Sequence, residues 1–340
     1  MSFPTEEGVF DAGHVALQSG ITLRDVKVVY KTYGALAPDR SNVIVYPTSY
    51  SAQHSDIEWL IGPDRILDPT RWWIIIPNML GNGLSTSPSN VAPPFDRGRF
   101  PLVTPYDNVK LQQRLLESVF GVTRIQLVYG WSMGGQQAYH WASMFPEMVA
   151  RACVICGSAK TSGHNFVFLE GVKAALMADP AWRHGWFHEQ PLQGLRAMGR
   201  IYAGWALSQA FYRQELWRQL GAASLEDFLI TGWEANFLRR DANDLIAQLL
   251  TWQAADIAAN DRFKGDLDAA LGAIRAKTLV MPGATDLYFQ VDDNAIEVPK
   301  LADGRLLPIP SIWGHRAGNP ATNREDERFI AQAVRGLLTS

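Results

Sequence analysis

The stretch RIQLVYGWSMGGQQAYHWA, residues 124–142, constrains the fold more than any other part of the chain. An apolar run with strand character enters Gly-Trp-Ser-Met-Gly and leaves as a helical pattern, with no residues to spare for a loop. So tight a reversal brings neighbouring backbone close, and its flanks must be small; Gly130, Gly134 and Gly135 meet that need. The same geometry lifts the Ser132 hydroxyl clear of a sheet and sets it at a helix N-terminus, where free N–H groups and the helix dipole favour negative charge. Glycine and serine are common in ordinary turns. The strand before and the helix after make Ser132 a candidate nucleophile rather than a turn serine.

Short apolar runs bounded by Gly, Pro or Asn recur at 21–34, 42–48, 72–78, 124–130 and 150–157. Helical patterns at 107–121 and 134–145 separate the later ones, and this alternation predicts a mostly parallel sheet covered on both faces. The first runs lie nearer together and suggest an antiparallel start. From 161 to 268 the pattern becomes helical and dense in aromatics, with Trp182, Trp186, Trp205, Trp217, Trp233 and Trp252 and no convincing strand. Strand character returns at 277–283 and 304–311, before a closing amphipathic helix. The expected organisation is an α/β core from 1–160 and 269–340, split by a helical cap at 161–268.

A serine nucleophile needs a base, and the base needs a carboxylate to hold its tautomer. TLVMPGATD puts Asp286 after a late strand and LLPIPSIWGH puts His315 after the next, in chain order Ser, Asp, His. Asp292 and Asp293 are competing acids, but they open a helical pattern in which first-turn carboxylates act as caps. His140 falls on the helix after Ser132, His184 and His188 in the cap, His14 in the first hairpin, and His54 and His164 in loops. Only His315 follows a strand late in the chain. For the oxyanion, the expected donors are the backbone N–H of Met133 and one from YPTSYS at 46–51, with Ser49 chosen and Thr48 or Tyr50 as neighbouring registers.

A chain of 340 residues, 47% hydrophobic and 19% charged, can bury a large core. With 31 basic against 34 acidic residues, a net charge of -3 and no block of like charge, it has no electrostatic footprint for nucleic acid or anionic lipid. The N-terminus lacks a basic segment followed by an apolar one, and no apolar run is long enough to span a bilayer. A cytoplasmic protein with a small-molecule partner is expected. Cys153 and Cys156 form a CxxC within a strand-like run that would point them to opposite faces, and no second ligand pair exists. They are read as buried thiols, with neither a metal nor a cofactor implied.

Four segments carry a resemblance: NMLGNGLSTSPSN at 78–90, GWSMGGQQAYHWA at the turn, DLYF at 286–289 and SIWGH at 311–315. Over nearly its whole length the chain resembles the homoserine O-acetyltransferase group of the α/β-hydrolase superfamily. The resemblance implies an α/β-hydrolase fold with a helical cap, a Ser-Asp-His triad, an acyl-enzyme and a homodimer. Two departures bear on the reaction. Gly199 in GLRAMGR stands where the transferases carry an arginine that clamps the amino acid's carboxylate, and Arg200 sits about 100° further around a helix. Arg316 stands where the transferases carry an acid after the histidine. An acceptor held at neither end competes poorly with water, so the expected activity is that of a serine carboxylesterase for short acetate-type esters. Trp131 and the aromatic cap suit a small apolar substrate. The alternative is an acetyl-CoA dependent acyltransferase acting on homoserine or another alcohol. A non-enzymatic receptor on the same fold would not need all three residues of the triad.

Overall fold

The computed structural model describes residues 3–339. Ten strands occur in it: β1 (Thr5–Ala16), β2 (Thr22–Tyr33), β3 (Val43–Val45), β4 (Trp73–Pro77), β5 (Leu127–Trp131), β6 (Arg151–Ile155), β7 (Trp182–Arg183), β8 (Trp186–Phe187), β9 (Lys277–Met281) and β10 (Gly304–Leu306). Eight of them form one sheet in the order β1-β2-β4-β3-β5-β6-β9-β10. Within it β2 runs antiparallel to both neighbours, while every other pair is parallel. The antiparallel start and parallel remainder follow the spacing of the apolar runs.

Burial explains why the strands differ in pattern. All residues of β3, β4 and the first four of β5 are buried, as expected of central strands covered on both faces. The outer hairpin of β1 and β2 alternates exposed with buried positions, since one of its faces meets water. Ile44, Leu127 and Tyr129 join a core on one face that is continuous with Phe168, Tyr202 and Trp252 of the 161–268 segment. Val43, Val45 and Val128 pack on the other face with Trp141 and Val109.

The helix Pro105–Phe120 begins at Thr104 with a reciprocal cap to Asp107 and stops at Gly121, whose φ of 63° closes the last turn. The helix Met133–Met144 is buried from Met133 to Ser143, wedged between the sheet and its covering layer. After β3 the chain crosses to β4 on one side, then returns to β5 on the other. The crevice at this reversal, beyond the carboxyl ends of β3 and β5, is where open α/β sheets bind ligands.

Two expectations need correction. The 161–268 segment does contain strands: β7 and β8 form a two-stranded hairpin around His184 and Gly185, both at positive φ. Two residues per strand are too few to leave an alternation visible in sequence. At 304–311 regular pairing ends with Leu306, beyond which an isolated bridge from Gly283 to Ile309 continues the contact. Pro308 and Pro310 cannot donate to a ladder.

Two buried carboxyls fasten the layers together. Asp244 of the helix Ala242–Gln253 accepts from Ser89 N (2.9 Å) and Oγ (2.7 Å), tying this helix to the 78–90 loop. Glu297 accepts from Ala159 N (2.9 Å) and Asn294 Nδ2 (3.0 Å) below β6. Burial pushes both carboxyls up to about 7. Each therefore holds its proton more tightly folded than unfolded. Its contribution is full below the unfolded pKa of about 4, declines as the pH rises to about 7 and is flat beyond, with a ceiling of about 4 kcal/mol per group. The Asp244→Asn/Glu297→Gln variant is expected to show a shallower loss of stability between pH 5 and 8 than the wild type. Chemical denaturation at both pH values measures this; parallel pH profiles for the two proteins would contradict it.

Candidate active site

Ser132 lies between β5 and the helix Met133–Met144 with φ 58° and ψ −127°, a conformation that side chains rarely adopt. Such strain costs on the order of 1–3 kcal/mol and persists only where the surroundings enforce it. Here they do. A Cβ at Gly130 would stand 1.9 Å from Gly134 O, and one at Gly134 would stand 2.8 Å from Pro47 O. Gly135 faces Gly157 Cα and Ile155 O, each at 3.2 Å from a Cβ position. Gly130 is required by the turn's own backbone, and Gly134 and Gly135 by the approach of the chain at the ends of β3 and β6.

Asp286 and His315 come to the same place from the loops after β9 and β10. His315 Nε2 lies 2.9 Å from Ser132 Oγ, and His315 Nδ1 lies 2.7 Å from Asp286 Oδ2. The other carboxylate oxygen, Asp286 Oδ1, accepts the N–H groups of Tyr288 (2.8 Å) and Phe289 (3.3 Å). All three residues are buried. The imidazole is held among the rings of Tyr288, Trp131 and Phe289, at centroid distances of 4.6, 5.1 and 5.6 Å. Trp131 Nε1 donates to His315 O (3.3 Å). Gly314 has φ 59°, and a Cβ there would stand 2.7 Å from Ala206 O.

Other residues position these groups and had no signal in the sequence. Thr285 Oγ1 donates to Ser311 O (3.0 Å) and accepts from Gly314 N (3.1 Å), fixing the Asp286 loop to the His315 loop. Gln137 Nε2 donates to Thr48 O (2.9 Å) and Met133 O (3.3 Å), joining the turn after β3 to the helix after Ser132. Gln137 Oε1 in turn accepts from Gln112 Nε2 (2.7 Å). Met133 N is among the first N–H groups of its helix, which have no partner within the helix. Among the described residues, no backbone acceptor stands opposite the N–H groups of Thr48, Ser49 or Tyr50.

A cavity of about 250 Å³ opens over Ser132 and His315. Ser49 and Tyr50 line it, whereas Thr48 is fully buried with its hydroxyl turned to Met79 N (3.0 Å). Of the aromatics marked in the sequence, Trp131, Trp233 and Trp252 reach the cavity; Trp182, Trp186, Trp205 and Trp217 do not. His54 hydrogen-bonds with Asn78 and His164 packs on Trp205, both away from it.

The two departures from the transferase pattern have distinct settings. Gly199 lies in the helix Leu192–Ala206, where a Cβ would meet Trp233 O at 2.9 Å and Glu234 Cα at 3.1 Å, so no side chain fits without moving that backbone. Arg200 pairs with Glu234 (2.6 Å) and with Glu226, away from the cavity. Arg316, by contrast, lines the cavity.

Both cysteines are buried and free, but Cys156 is no strand residue. It follows β6 with φ 43°, and its sulfur lies among the ligand atoms of Asp286 and His315, all within 4.8 Å. Burial pushes its thiol well up, and the Asp286 charge adds to this. A neutral thiol beside the carboxylate fits a donor to Asp286.

Residues 54–311 match the model of the alpha/beta hydrolase fold family. An ethyl acetate hydrolase from Pseudomonas veronii is 35% identical over 322 residues, 92% of this chain and 92% of its own. A homoserine O-acetyltransferase from Leifsonia xyli is 30% identical over 338 residues, 89% of this chain and 83% of its own. The crystal structure of an acetylester hydrolase from Corynebacterium glutamicum superposes with a TM-score of 0.94 at 36% identity, covering 98% of this chain and 96% of that one. With its eight-stranded sheet and these relatives, the chain belongs to the α/β-hydrolase family, among esterases and homoserine acyltransferases.

Proposed function

We propose that the protein is a serine carboxylesterase that cleaves short acetate-type esters through an acyl-enzyme. The observation that carries this is the Ser132–His315–Asp286 chain of contacts, at 2.9 and 2.7 Å, with Ser132 and His315 lining a small cavity. Ser132 Oγ attacks the ester carbonyl as His315 Nε2 takes its proton, and Asp286 holds the imidazole. The oxyanion is held by the N–H groups of Met133 and of Ser49, with Thr48 and Tyr50 the adjacent donors in the same turn. His315 then protonates the leaving alcohol and activates water for deacylation, with no cofactor in either step.

In this proposal, residues 1–160 and 269–340 supply the reacting groups and 161–268 act as a cap, which fits the lining of the cavity by Tyr202, Trp233, Phe237 and Trp252. Hydrolysis is favoured over acyl transfer because Gly199 replaces the clamping arginine of the transferases and, among the described residues, no acid lines the cavity to hold an amino acid's ammonium group. A cytoplasmic homodimer belongs to the same proposal; no helix among the described residues is long and apolar enough to cross a membrane.

The test is ethyl acetate hydrolysis beside CoA release from acetyl-CoA, with and without homoserine. Ester turnover with CoA release unaffected by homoserine is expected. Homoserine-dependent CoA release at a rate comparable to ester hydrolysis would favour the transferase.

A further inference from the structure

We propose that Arg316 is a carboxylate-binding residue of the active-site cavity, so that the preferred substrate is a short ester bearing a carboxylate. This rests on the esterase reading and narrows its substrate class. Among the described residues, none of those lining the cavity is Asp or Glu, and Arg316 is the only permanently charged one. Among the described residues its guanidinium has neither an ion-pair partner nor a hydrogen-bond acceptor.

That isolation sets it apart from the other partly buried arginines, Arg114, Arg151 and Arg240, each of which has an acceptor. Arg240, which like Arg316 is partly buried, is matched by Asp56 and by Ser51 O (2.7 Å). Arg200 has Glu226 and Glu234. Taking a guanidinium out of water without a counter-charge is costly, and it is tolerated where a ligand completes the pair. Burial also pulls the proton affinity of Arg316 down, with only Tyr212 opposing. A planar guanidinium matches a carboxylate through two parallel N–H bonds.

Among the described residues, the rest of the wall carries neutral polar side chains, among them Ser51, Asn236 and Asn319, and no acid to compete for the guanidinium. Arg316 directly follows His315 in the chain, and a cavity of about 250 Å³ keeps the ester carbonyl and the carboxylate within one small molecule. The chemistry is unchanged: the ester bond breaks, water supplies the hydroxyl to the acid and the proton to the alcohol. The carboxylate can sit on either side of that bond.

The experiment compares kcat/KM of the full-length wild type, Arg316→Gln and Arg316→Lys on three esters: ethyl acetate, 3-acetoxypropanoate with its charge on the alcohol side, and monoethyl succinate with its charge on the acyl side. The wild type is expected to prefer one of the charged esters over ethyl acetate at least tenfold, and which one identifies the side. Arg316→Gln should lower the charged-to-neutral ratio at least tenfold, chiefly through KM, and Arg316→Lys should recover part of it. A wild-type ratio near one, or an equal loss on charged and neutral esters in Arg316→Gln, would overturn the proposal. Failure of the wild type to hydrolyse any of the three would overturn the esterase reading, and this proposal with it.

Discussion

Ser132→Ala is expected to lower kcat for ethyl acetate by roughly 10⁶-fold, the loss seen when the nucleophile of a serine hydrolase is removed. At about 1.36 kcal/mol per factor of ten, this is about 8 kcal/mol of transition-state stabilisation. The fold should hardly notice. Ser132 Oγ has His315 Nε2 as its hydrogen-bond partner, and the backbone strain at φ 58° is imposed by Gly130, Gly134 and their neighbours, not by the hydroxyl. A change of about 1 kcal/mol in stability is therefore the expected scale. KM should stay close to the wild-type value, because the aromatic walls of the cavity remain. Steady-state hydrolysis measures kcat and KM, thermal melting measures stability, and a fluorophosphonate probe should no longer label the variant. Residual activity above about 1% of wild type, far more than the oxyanion donors alone supply, would mean that another group attacks the ester.

How much of this site could be read from sequence depends on what each residue's position rests on. Ser132 was legible because the strand and helix beside it have regular periods and Gly130 faces the turn's own Gly134, whereas the contacts of Gly134 with Pro47 and of Gly135 with Gly157 come from distant chain. Asp286 and His315 were legible for a related reason, since each follows an apolar run that becomes a strand end. Gln137 and Thr285 were not. Gln137 works by reaching Thr48 across 89 positions of chain, and that contact exists because β3 and β5 are neighbours in a sheet whose order reverses there. No local pattern reports strand order. The same holds for Cys156, whose proximity to Asp286 depends on β6 lying beside β9. At Gly199 the missing arginine was legible, but the backbone of Trp233 that excludes any side chain was not. The absence of acid around Arg316 is likewise a property of the folded cavity.

Asp286→Asn should lower kcat at neutral pH by about 10⁴-fold, although it changes one atom. The two carboxylate oxygens have different tasks. Oδ1 accepts two backbone N–H groups, from Tyr288 and Phe289, while Oδ2 accepts from His315 Nδ1. An asparagine has one oxygen, and the two backbone donors claim it, since turning the amide would set its NH₂ against both of them in a buried site. The NH₂ then faces His315 Nδ1, which must become an acceptor. The ring proton moves to Nε2, and Nε2 donates towards Ser132 instead of accepting its proton. The base is present, correctly placed and in the wrong tautomer. The geometry of the site should survive, because the Thr285 bridge between the two loops and the aromatic contacts around the imidazole do not involve the altered atom. A crystal structure of the variant with His315 in place, paired with a kcat reduced by about 10⁴-fold, is the expected result. A reduction of less than about tenfold would show that Asp286 does not set the tautomer, leaving His315 oriented by Trp131, Tyr288 and the backbone alone.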